Sequence, residues 1–470
     1  MTPAGPHPEP APPAAPPAPA PEPAAGRLPL VVALDMGYGH LRAAHALAEA
    51  LGAEVVHADR PPLAEGDELR LWAASRRLYE SVSRLSQLPV AGRPLRRLLD
   101  VVTDIPPLHP FRDLSASDFS TRALARRLAK GLGRGLAARL LATGEPLLTT
   151  YFTPALAADR AGCDPIWCVV TDSDIARAWA PAEPAATRIR YLAPSRRARR
   201  RLRAYGVPEA NLHLTGFPLP HALLGGPELP ALRRNLAARL VRLDPEGAFR
   251  GELRRDLERD LGPLPAEEEG RPPRVVYAVG GAGAQAELGE HLAARLAPAV
   301  RAGKLRLALV AGVRAEVAER FARTAAAAGL DDAPPGGFEI VHEPDLPAYL
   351  ACFDHLLAGT DVLWTKPSEL SFYAALGLPL VLSWPVGAHE RYNRRWLVEN
   401  GAGLKQRNLH HPGGWLAELL ADGTLAAAAW SGYTRLPKHG LYRILELLGR
   451  PCPTDAEPAA RAATASAAAR

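Results

Sequence analysis

The sequence predicts an α/β protein in which two doubly wound parallel sheets face a central cleft. Short apolar runs rich in valine alternate with helical segments, and this alternation occurs twice, in residues 28–222 and 273–450. A glycine-containing loop follows the first predicted strand of each half. Because ligands of open α/β sheets bind beyond the carboxyl ends of the strands, a ligand site is expected between the two halves.

The first half begins as a βαβ unit. Residues 28–34 (LPLVVAL) predict a strand, 40–51 space their apolar residues as a helix does, and 54–57 predict the next strand. Later elements of this half are four strands at 146–151, 165–171, 190–193 and 211–215, and a helix at 195–205.

The second half repeats this alternation. Its predicted strands are 274–279, 305–311, 338–341, 361–364 and 378–383, and its predicted helices are 286–301, 313–328, 346–353, 370–376 and 393–400. The charged segment 223–272 between the halves is expected to be a helical linker or insertion. Residues 1–27 hold 11 prolines and 8 alanines, so we expect a disordered tail there, and another at 451–470.

Composition excludes several classes of protein. With 470 residues, 47% hydrophobic and 23% charged, the chain is neither a disordered protein nor a disulfide miniprotein. Its four cysteines suit a reducing compartment, and no apolar run reaches the roughly 18 residues of a spanning helix. The start lacks the pattern of a secretory signal, so we expect a cytoplasmic protein. No basic stretch is interleaved with aromatic residues, so a nucleic-acid partner is not expected.

Two motifs of the first half carry polar groups at strand ends. In 35–45 (DMGYGHLRAAH), Gly37 and Gly39 allow a tight turn and are candidate acceptor contacts, and His40 lies where the loop becomes a helix. Its imidazole is a candidate base for an acceptor hydroxyl, and the alternative is a merely structural histidine. In 171–181, Asp172 is a second candidate base and Asp174 a candidate acceptor contact, with helix capping as the alternative.

A glycine loop opens the second half. Gly280, Gly281 and Gly283 in 279–285 (VGGAGAQ) would let the backbone approach a phosphate closely. The spacing is not GxGxxG, which disfavours a nicotinamide site, and a simple helix-start turn is the alternative.

The segment 365–393 supplies the other candidates. It begins with a strand end and a helix start, where Lys366 would meet a diphosphate, Ser368 would cap the helix and Glu369 would bind ribose hydroxyls. After the next strand, three polar side chains are candidates for sugar hydroxyls, namely His389, Glu390 and Asn393.

The ordered set of motifs resembles the GT-B glycosyltransferases of family 28, the group that includes the MurG transferase and the monogalactosyldiacylglycerol synthases. The resemblance covers most of residues 28–404. It is carried by the segments GYGHLRAAHALAEAL, TDSDIARAW, APSRRARRRLRAYGVPEANLHLTGFP, VGGAGAQ and TKPSEL…GAHERYN. No single segment is specific for this family, whereas the ordered set of segments is.

The resemblance implies a metal-independent hexosyltransferase with no cofactor, whose donor is expected to be a UDP-linked nucleotide-diphosphate sugar. The donor would bind the C-terminal Rossmann-like domain and an unidentified acceptor the N-terminal one. His40 looks like the family's acceptor-side histidine, and Thr365 with Lys366 matches its TK pair. The family's two glycines after TKP are Ser368 and Glu369 here, so donor identity does not transfer.

Two other functions and one further partner stay open. A sugar-nucleotide epimerase shares this architecture, and a non-catalytic nucleotide-sugar or partner-binding protein would explain the altered TKPSE loop. The arginine-rich segments 76–99 and 196–203 suggest a peripheral contact with an anionic membrane and a lipid-linked acceptor, with a solvated helix surface as the alternative.

Overall fold

The computed structural model describes residues 27–85, 105–110, 112–266, 271–281, 283–385 and 387–453. Nearly all of the two expected tails, 1–27 and 451–470, lies outside the described residues, as does part of the basic segment 76–99.

Two six-stranded sheets, all of whose pairings are parallel, form the centres of the two halves. The first has the order β2-β1-β3-β4-β5-β6 and the second the order β12-β11-β10-β7-β8-β9. The strands of the first sheet are β1 Leu30–Ala33, β2 Val55–His57, β3 Leu147–Thr149, β4 Ile166–Val169, β5 Ile189–Ala193 and β6 Leu212–Leu214. Those of the second are β7 Arg274–Ala278, β8 Arg306–Gly312, β9 Phe338–His342, β10 Val362–Thr365, β11 Leu380–Leu382 and β12 Gly403–Lys405.

Helices cover both faces of the sheets. In the first half they are α1 Tyr38–Leu51, α2 Asp67–Leu85, α3 Phe119–Ala129, α4 Arg134–Thr143, α5 Phe152–Arg160 and α6 Arg196–Ala204. The connecting segment adds α7 His221–Leu224, α8 Pro230–Arg242 and α9 Ala248–Leu261. The second half has α10 Ala286–Arg301, α11 Ala315–Ala327, α12 Leu346–Ala358, α13 Ala388–Glu399, α14 Pro412–Ala421, α15 Thr424–Arg435 and α16 Gly440–Leu447.

The central strands are mostly apolar because both faces of each sheet are covered. All four residues of β1 are buried, and so are all four residues of β10. Full burial of such a valine or leucine side chain stabilises the fold by about 1.5–3 kcal/mol. The sheets are thus rigid platforms, and the loops at their carboxyl ends are free to carry function.

The segment 223–272, expected to be a linker or insertion, supplies α8 and α9. The buried guanidinium of Arg239 donates to the carbonyl oxygen of Thr360 at 2.6 Å and to that of Gly377 at 3.0 Å. Arg242 and Arg271 both pair with the fully buried Asp361. These bonds attach α8 to the second sheet.

The last helix returns to the first half. Arg443 of α16 donates to the carbonyl oxygen of Thr215 at 3.2 Å, and the Tyr442 hydroxyl lies 3.0 Å from Nδ1 of His221. Within the described ranges, no helix is both long and apolar enough to cross a membrane. The two doubly wound parallel sheets confirm the expected α/β GT-B fold class with two Rossmann-like domains.

Candidate functional site

The loop after β1 brings the two domains into direct contact. Gly37 has φ 115°, a conformation that a residue with a side chain rarely adopts. Gly39 is required for a different reason, because a Cβ atom there would lie 3.0 Å from Cβ of Glu369 in the other domain. Both glycines were expected to bind an acceptor, and the structure instead places Gly39 against the second domain.

His40 is held by the ends of two neighbouring strands. Its Nδ1 lies 2.8 Å from the carbonyl oxygen of Thr150 and 3.1 Å from the hydroxyl of Thr171. A carbonyl oxygen can only accept, so Nδ1 carries the proton and the neutral ring keeps its lone pair on Nε2. The ring of Tyr151 meets the imidazole edge-on, with 4.6 Å between the ring centroids.

The surroundings of His40 favour its neutral form. Burial lowers the pKa of His40, and the positive partial charge of His389 acts in the same direction. The carboxylates of Asp172 and Glu369 oppose this, but burial outweighs them. At neutral pH the ring is therefore uncharged and can accept a proton.

Asp172 is tied to the second domain through Asn393. The Asn393 side chain is fully buried, and its Nδ2 donates to Oδ1 of Asp172 at 3.0 Å. Its Oδ1 accepts from the backbone N–H of Ser173 at 2.9 Å and from the Ser173 hydroxyl at 2.7 Å. All three bonds cross the cleft, so the expected donor-sugar role of Asn393 gives way to a bridge between the domains.

The expectation for Asp174 is corrected. Its carboxylate is fully buried, with Nε of Arg201 at 2.7 Å from Oδ1 and Nε of Arg197 at 2.6 Å from Oδ2. Both oxygens therefore hold α6 against the loop after β4, and neither is available to an acceptor.

Lys366, expected to meet a diphosphate, and Glu390, expected to meet a sugar hydroxyl, contact each other in the second domain. Nζ of Lys366 lies 2.7 Å from Oε1 of Glu390. The lysine stem crosses Gly280, where a Cβ atom would lie 2.5 Å from Cε of Lys366. The glycine therefore makes room for the lysine, which brings a cation to the carboxyl ends of β7 and β10. His389, the neighbour of Glu390, is half-buried beside His40.

Tyr38 covers the glycine loop of the second domain. A Cβ atom on Gly281 would lie 3.2 Å from the backbone nitrogen of Tyr38, and one on Gly312 would lie 2.6 Å from its hydroxyl. The hydroxyl accepts a hydrogen bond from the Val313 N–H at 3.1 Å. Gly283, with φ 71°, completes the turn. The loop expected to face phosphates therefore faces a tyrosine of the other domain.

Arg42 lies beside Tyr38 in an aromatic box. Its guanidinium carbon is 4.3 Å from the ring centroid of Phe353 and 5.2 Å from that of Tyr349, whose hydroxyl accepts from Nη2 at 2.6 Å. Only 3% of Arg42 is exposed. Burial acts to lower its pKa, but the tyrosines and Glu369 together raise it, so Arg42 stays charged. Among the described residues its buried Nη1 has no hydrogen-bond partner.

The TKPSE loop departs from three expectations. Glu369 is buried, and its Oε1 lies 3.3 Å from Nε of Arg42, so it pairs across the domains instead of awaiting a ribose. The Thr365 hydroxyl donates to the carbonyl oxygen of Ala278 at 3.1 Å, so its hydrogen bond is made within the second sheet. Ser368 precedes the helix, but within the described chain its side chain makes no capping bond. That helix, Glu369–Leu376, is a 3-10 helix.

A cavity of about 1070 Å³ lies between α1 and α12, and Tyr38 and Arg42 form part of its lining. Its titratable lining includes His45, Glu49 and Asp354. Burial raises the pKa of Asp354 to about 7, and Glu49 adds to this while Arg42 opposes it. Across the described ranges, no group of three or more His, Cys, Asp or Glu residues is arranged to hold a metal ion.

No family model matches the chain, and no curated protein matches it. Among solved structures it is similar to the UDP-GlcNAc 2-epimerase from Neisseria meningitidis bound to UDP-GlcNAc, with a TM-score of 0.44 and 11% identity over 89% of this chain and 98% of that one. It is also similar to the glycosyltransferase SnogD from Streptomyces nogalater (TM-score 0.38, 15% identity, 89% and 98% covered). The spinosyn rhamnosyltransferase SpnG gives a TM-score of 0.39 at 18% identity over 89% and 100%. At these scores the likenesses carry no argument about activity.

Sequence reasoning missed Tyr38 and Arg42. Both lie within the first motif, yet neither was singled out, because tyrosine and arginine at a helix start are common on solvated surfaces. One signal was available for Arg42. It lies four residues after Tyr38 and four before Ala46, on a buried face of α1, where a charged side chain is buried only if it is paired.

Proposed function

We propose that the protein transfers a sugar from a nucleotide-diphosphate sugar to an acceptor hydroxyl, as family 28 glycosyltransferases do. The observation that carries the proposal is the state of His40. Its Nδ1–H donates a hydrogen bond to the Thr150 carbonyl oxygen, its ring is neutral, and its lone pair is on Nε2. A neutral imidazole at the cleft is suited to accept a proton near neutral pH.

In the proposed reaction, Nε2 of His40 takes the proton of the acceptor hydroxyl while the acceptor oxygen bonds to the anomeric carbon. The bond from that carbon to the diphosphate oxygen breaks, and its electron pair leaves with the diphosphate. Lys366, at the carboxyl ends of β7 and β10, is the group proposed to stabilise that negative charge. The proton ends on His40 and passes to solvent.

The assignment is tested with labelled UDP-, GDP- and TDP-sugars and a mixture of candidate acceptors. Transfer should fall by at least about 100-fold in His40→Gln, while the affinity for the donor stays within about twofold. The rate should fall as the pH is lowered through the depressed pKa of His40, because the protonated ring cannot act as base. Equal transfer by wild type and His40→Gln would refute the assignment.

One observation favours a second function, the non-catalytic binding of a nucleotide sugar or partner. Tyr38 covers Gly281, and Arg42 holds Glu369, so two of the expected donor contacts are occupied by the protein itself. Calorimetric titration with UDP and UDP-sugars distinguishes the two functions, since a binding protein would bind without turnover. An epimerase would interconvert labelled UDP-sugars in the absence of any acceptor.

A lipid-linked acceptor remains part of the proposal. Helix α6 exposes Arg196, Arg200 and Arg203, whereas Arg197 and Arg201 are committed to Asp174. Three exposed cations on one helix suit an anionic membrane surface. Co-sedimentation with anionic vesicles should weaken as salt is raised, and salt-insensitive or absent binding would remove this part of the proposal.

A further inference from the structure

Helix α13 connects the donor side of the cleft with the base side. In its first turn Glu390 holds Lys366 of its own domain. Three residues later, Asn393 reaches across to Asp172 and Ser173 of the other domain. Residues three apart lie on the same face of a helix, so one helical surface contacts both halves of the site.

The orientation of the Asn393 amide follows from its partners. The backbone N–H of Ser173 can only donate, so Oδ1 of Asn393 must face it. The Ser173 hydroxyl donates to the same oxygen. This leaves Nδ2 directed at Oδ1 of Asp172, with the whole side chain removed from solvent. Three bonds thus fix one rotamer of Asn393 and, through it, the Asp172 carboxylate.

Burial, three titratable groups and the hydrogen bond to the Thr150 carbonyl act on the pKa of His40. Asp172 and Glu369 raise its pKa, while burial and His389 lower it. The two carboxylates are anchored differently. Glu369 is held by Arg42, whereas Asp172 is held by the Asn393 amide and is half-buried. The electrostatic effect of the Asp172 carboxylate on His40 therefore depends on the neutral side chain of Asn393 in the second domain.

We propose that Asn393 is a positioning residue that fixes the Asp172 carboxylate beside His40, so that the base is completed only when the two domains are closed on each other. The inference rests on the proposed function for its catalytic meaning. Its structural content is independent of any substrate. Since Asn393 belongs to the second domain, opening of the cleft breaks the Asn393–Asp172 bond and releases the carboxylate.

The test is an NMR titration of the His40 imidazole in the full chain without substrate, with the resonance assigned by its loss in His40→Gln. Asp172→Asn should lower the pKa of His40, because a negative charge that favours the imidazolium is removed. Asn393→Ala should lower it in the same direction, and should lower it no further in the Asp172→Asn background.

Two further variants keep the test decisive. Ser173→Ala removes only the hydroxyl donor to Asn393 and should give a smaller fall, which covers the case in which Asn393→Ala does not fold. Asn400→Ala is the matched control, because this amide on the end of the same helix bonds only to the carbonyl oxygen of Trp396 among the described contacts. It should leave the His40 titration unchanged.

An unchanged or raised His40 pKa in both Asn393→Ala and Ser173→Ala would overturn the positioning role, whatever reaction the protein performs. Once a substrate is in hand, Asn393→Ala should lower kcat by about 10-fold or more with little change in the KM of the donor. A loss confined to KM would assign Asn393 to donor binding and also overturn the inference.

Discussion

Nε of Arg42 in the first domain lies 3.3 Å from Oε1 of Glu369 in the second, and both side chains are buried. The pair joins the helix after the first glycine loop to the altered TKPSE loop. Because a buried guanidinium is costly without an anion, the pair sets where the two domains meet. It also explains why an acidic residue can stand at a position where the resembled family has glycine.

Removal of the Glu369 carboxylate should destabilise the protein strongly. Glu369→Ala leaves the buried guanidinium of Arg42 with the hydroxyl of Tyr349 as its hydrogen-bond partner among the described residues, so we expect the free energy of unfolding to fall by about 3 kcal/mol. Urea denaturation measures this. Glu399→Ala is the control, since its pair with Arg395 is exposed and should contribute under about 0.5 kcal/mol. Equal effects of the two variants would contradict the account.

The close approach of Gly312 to Tyr38 gives a second prediction. Gly312→Ala introduces a Cβ atom 2.6 Å from the Tyr38 hydroxyl at a residue with φ 69°. Gly303→Ala has nearly the same φ, 68°, but its nearest neighbour would be 3.8 Å away. In both variants, backbone strain should lower the free energy of unfolding by about 1 kcal/mol. In Gly312→Ala, the contact with Tyr38 should lower it by a further ~1 kcal/mol or more.

A double variant isolates that contact. In a Tyr38→Ala background, the cost of Gly312→Ala should fall to the cost of Gly303→Ala, as measured by thermal or urea unfolding. If the extra cost persists without the tyrosine side chain, it does not come from the packing of Tyr38 against the second domain.

Asp354 gives a prediction in pH. Its pKa is raised to about 7, so between about pH 4 and 7 the folded protein binds a proton that the unfolded chain has released. The free energy of unfolding therefore falls as the pH rises through this window. The full decrease, which comes from ionising the buried carboxyl, is present above about pH 7. Asp354→Asn removes this ionisable carboxyl and with it the loss of stability at high pH. Since the side chain keeps some exposed surface, the gain at pH 8 should be about 1 kcal/mol, and it should vanish near pH 4.

Asp345→Asn, on the same helix, is the matched control for Asp354→Asn. Asp345 caps α12 by accepting from the Ala348 N–H at 3.0 Å, and asparagine caps equally well. Its effect should stay under about 0.5 kcal/mol at pH 8. If Asp354→Asn is no more stabilising than Asp345→Asn there, the carboxyl of Asp354 does not carry the raised pKa.

Long periodic segments made most of the fold predictable. The helix expected at 286–301 is observed as Ala286–Arg301, and the strand expected at 274–279 as Arg274–Ala278. Helices α2 to α5 and α14 to α16 and strand β12 were not assigned. The many arginines of α2 and α3 lower their apolar content, although their residues are spaced as in an amphipathic helix. The segment expected as a helix at 370–376 is 3-10, a difference of hydrogen-bond register that apolar spacing does not encode.

The sequence predicted that several candidate residues lie at strand ends, but it did not predict their contacts. Polar residues that directly follow predicted strands are expected at the strand ends, and His40 and Lys366 both lie there. The partners of Asn393 and Glu369 lie in the other domain, hundreds of residues away in the chain. Such pairings depend on how the two sheets face each other, which local pattern cannot specify.

The central claim is that the cleft holds a nucleotide sugar against a neutral His40. The most direct measurement is the rate at which nucleotide diphosphate is released from UDP-, GDP- and TDP-sugars in the presence of candidate acceptors, for wild type and His40→Gln. The account predicts release by wild type and a loss of about 100-fold or more in the variant. Equal rates for the two proteins, or no release by wild type with any donor, would contradict it.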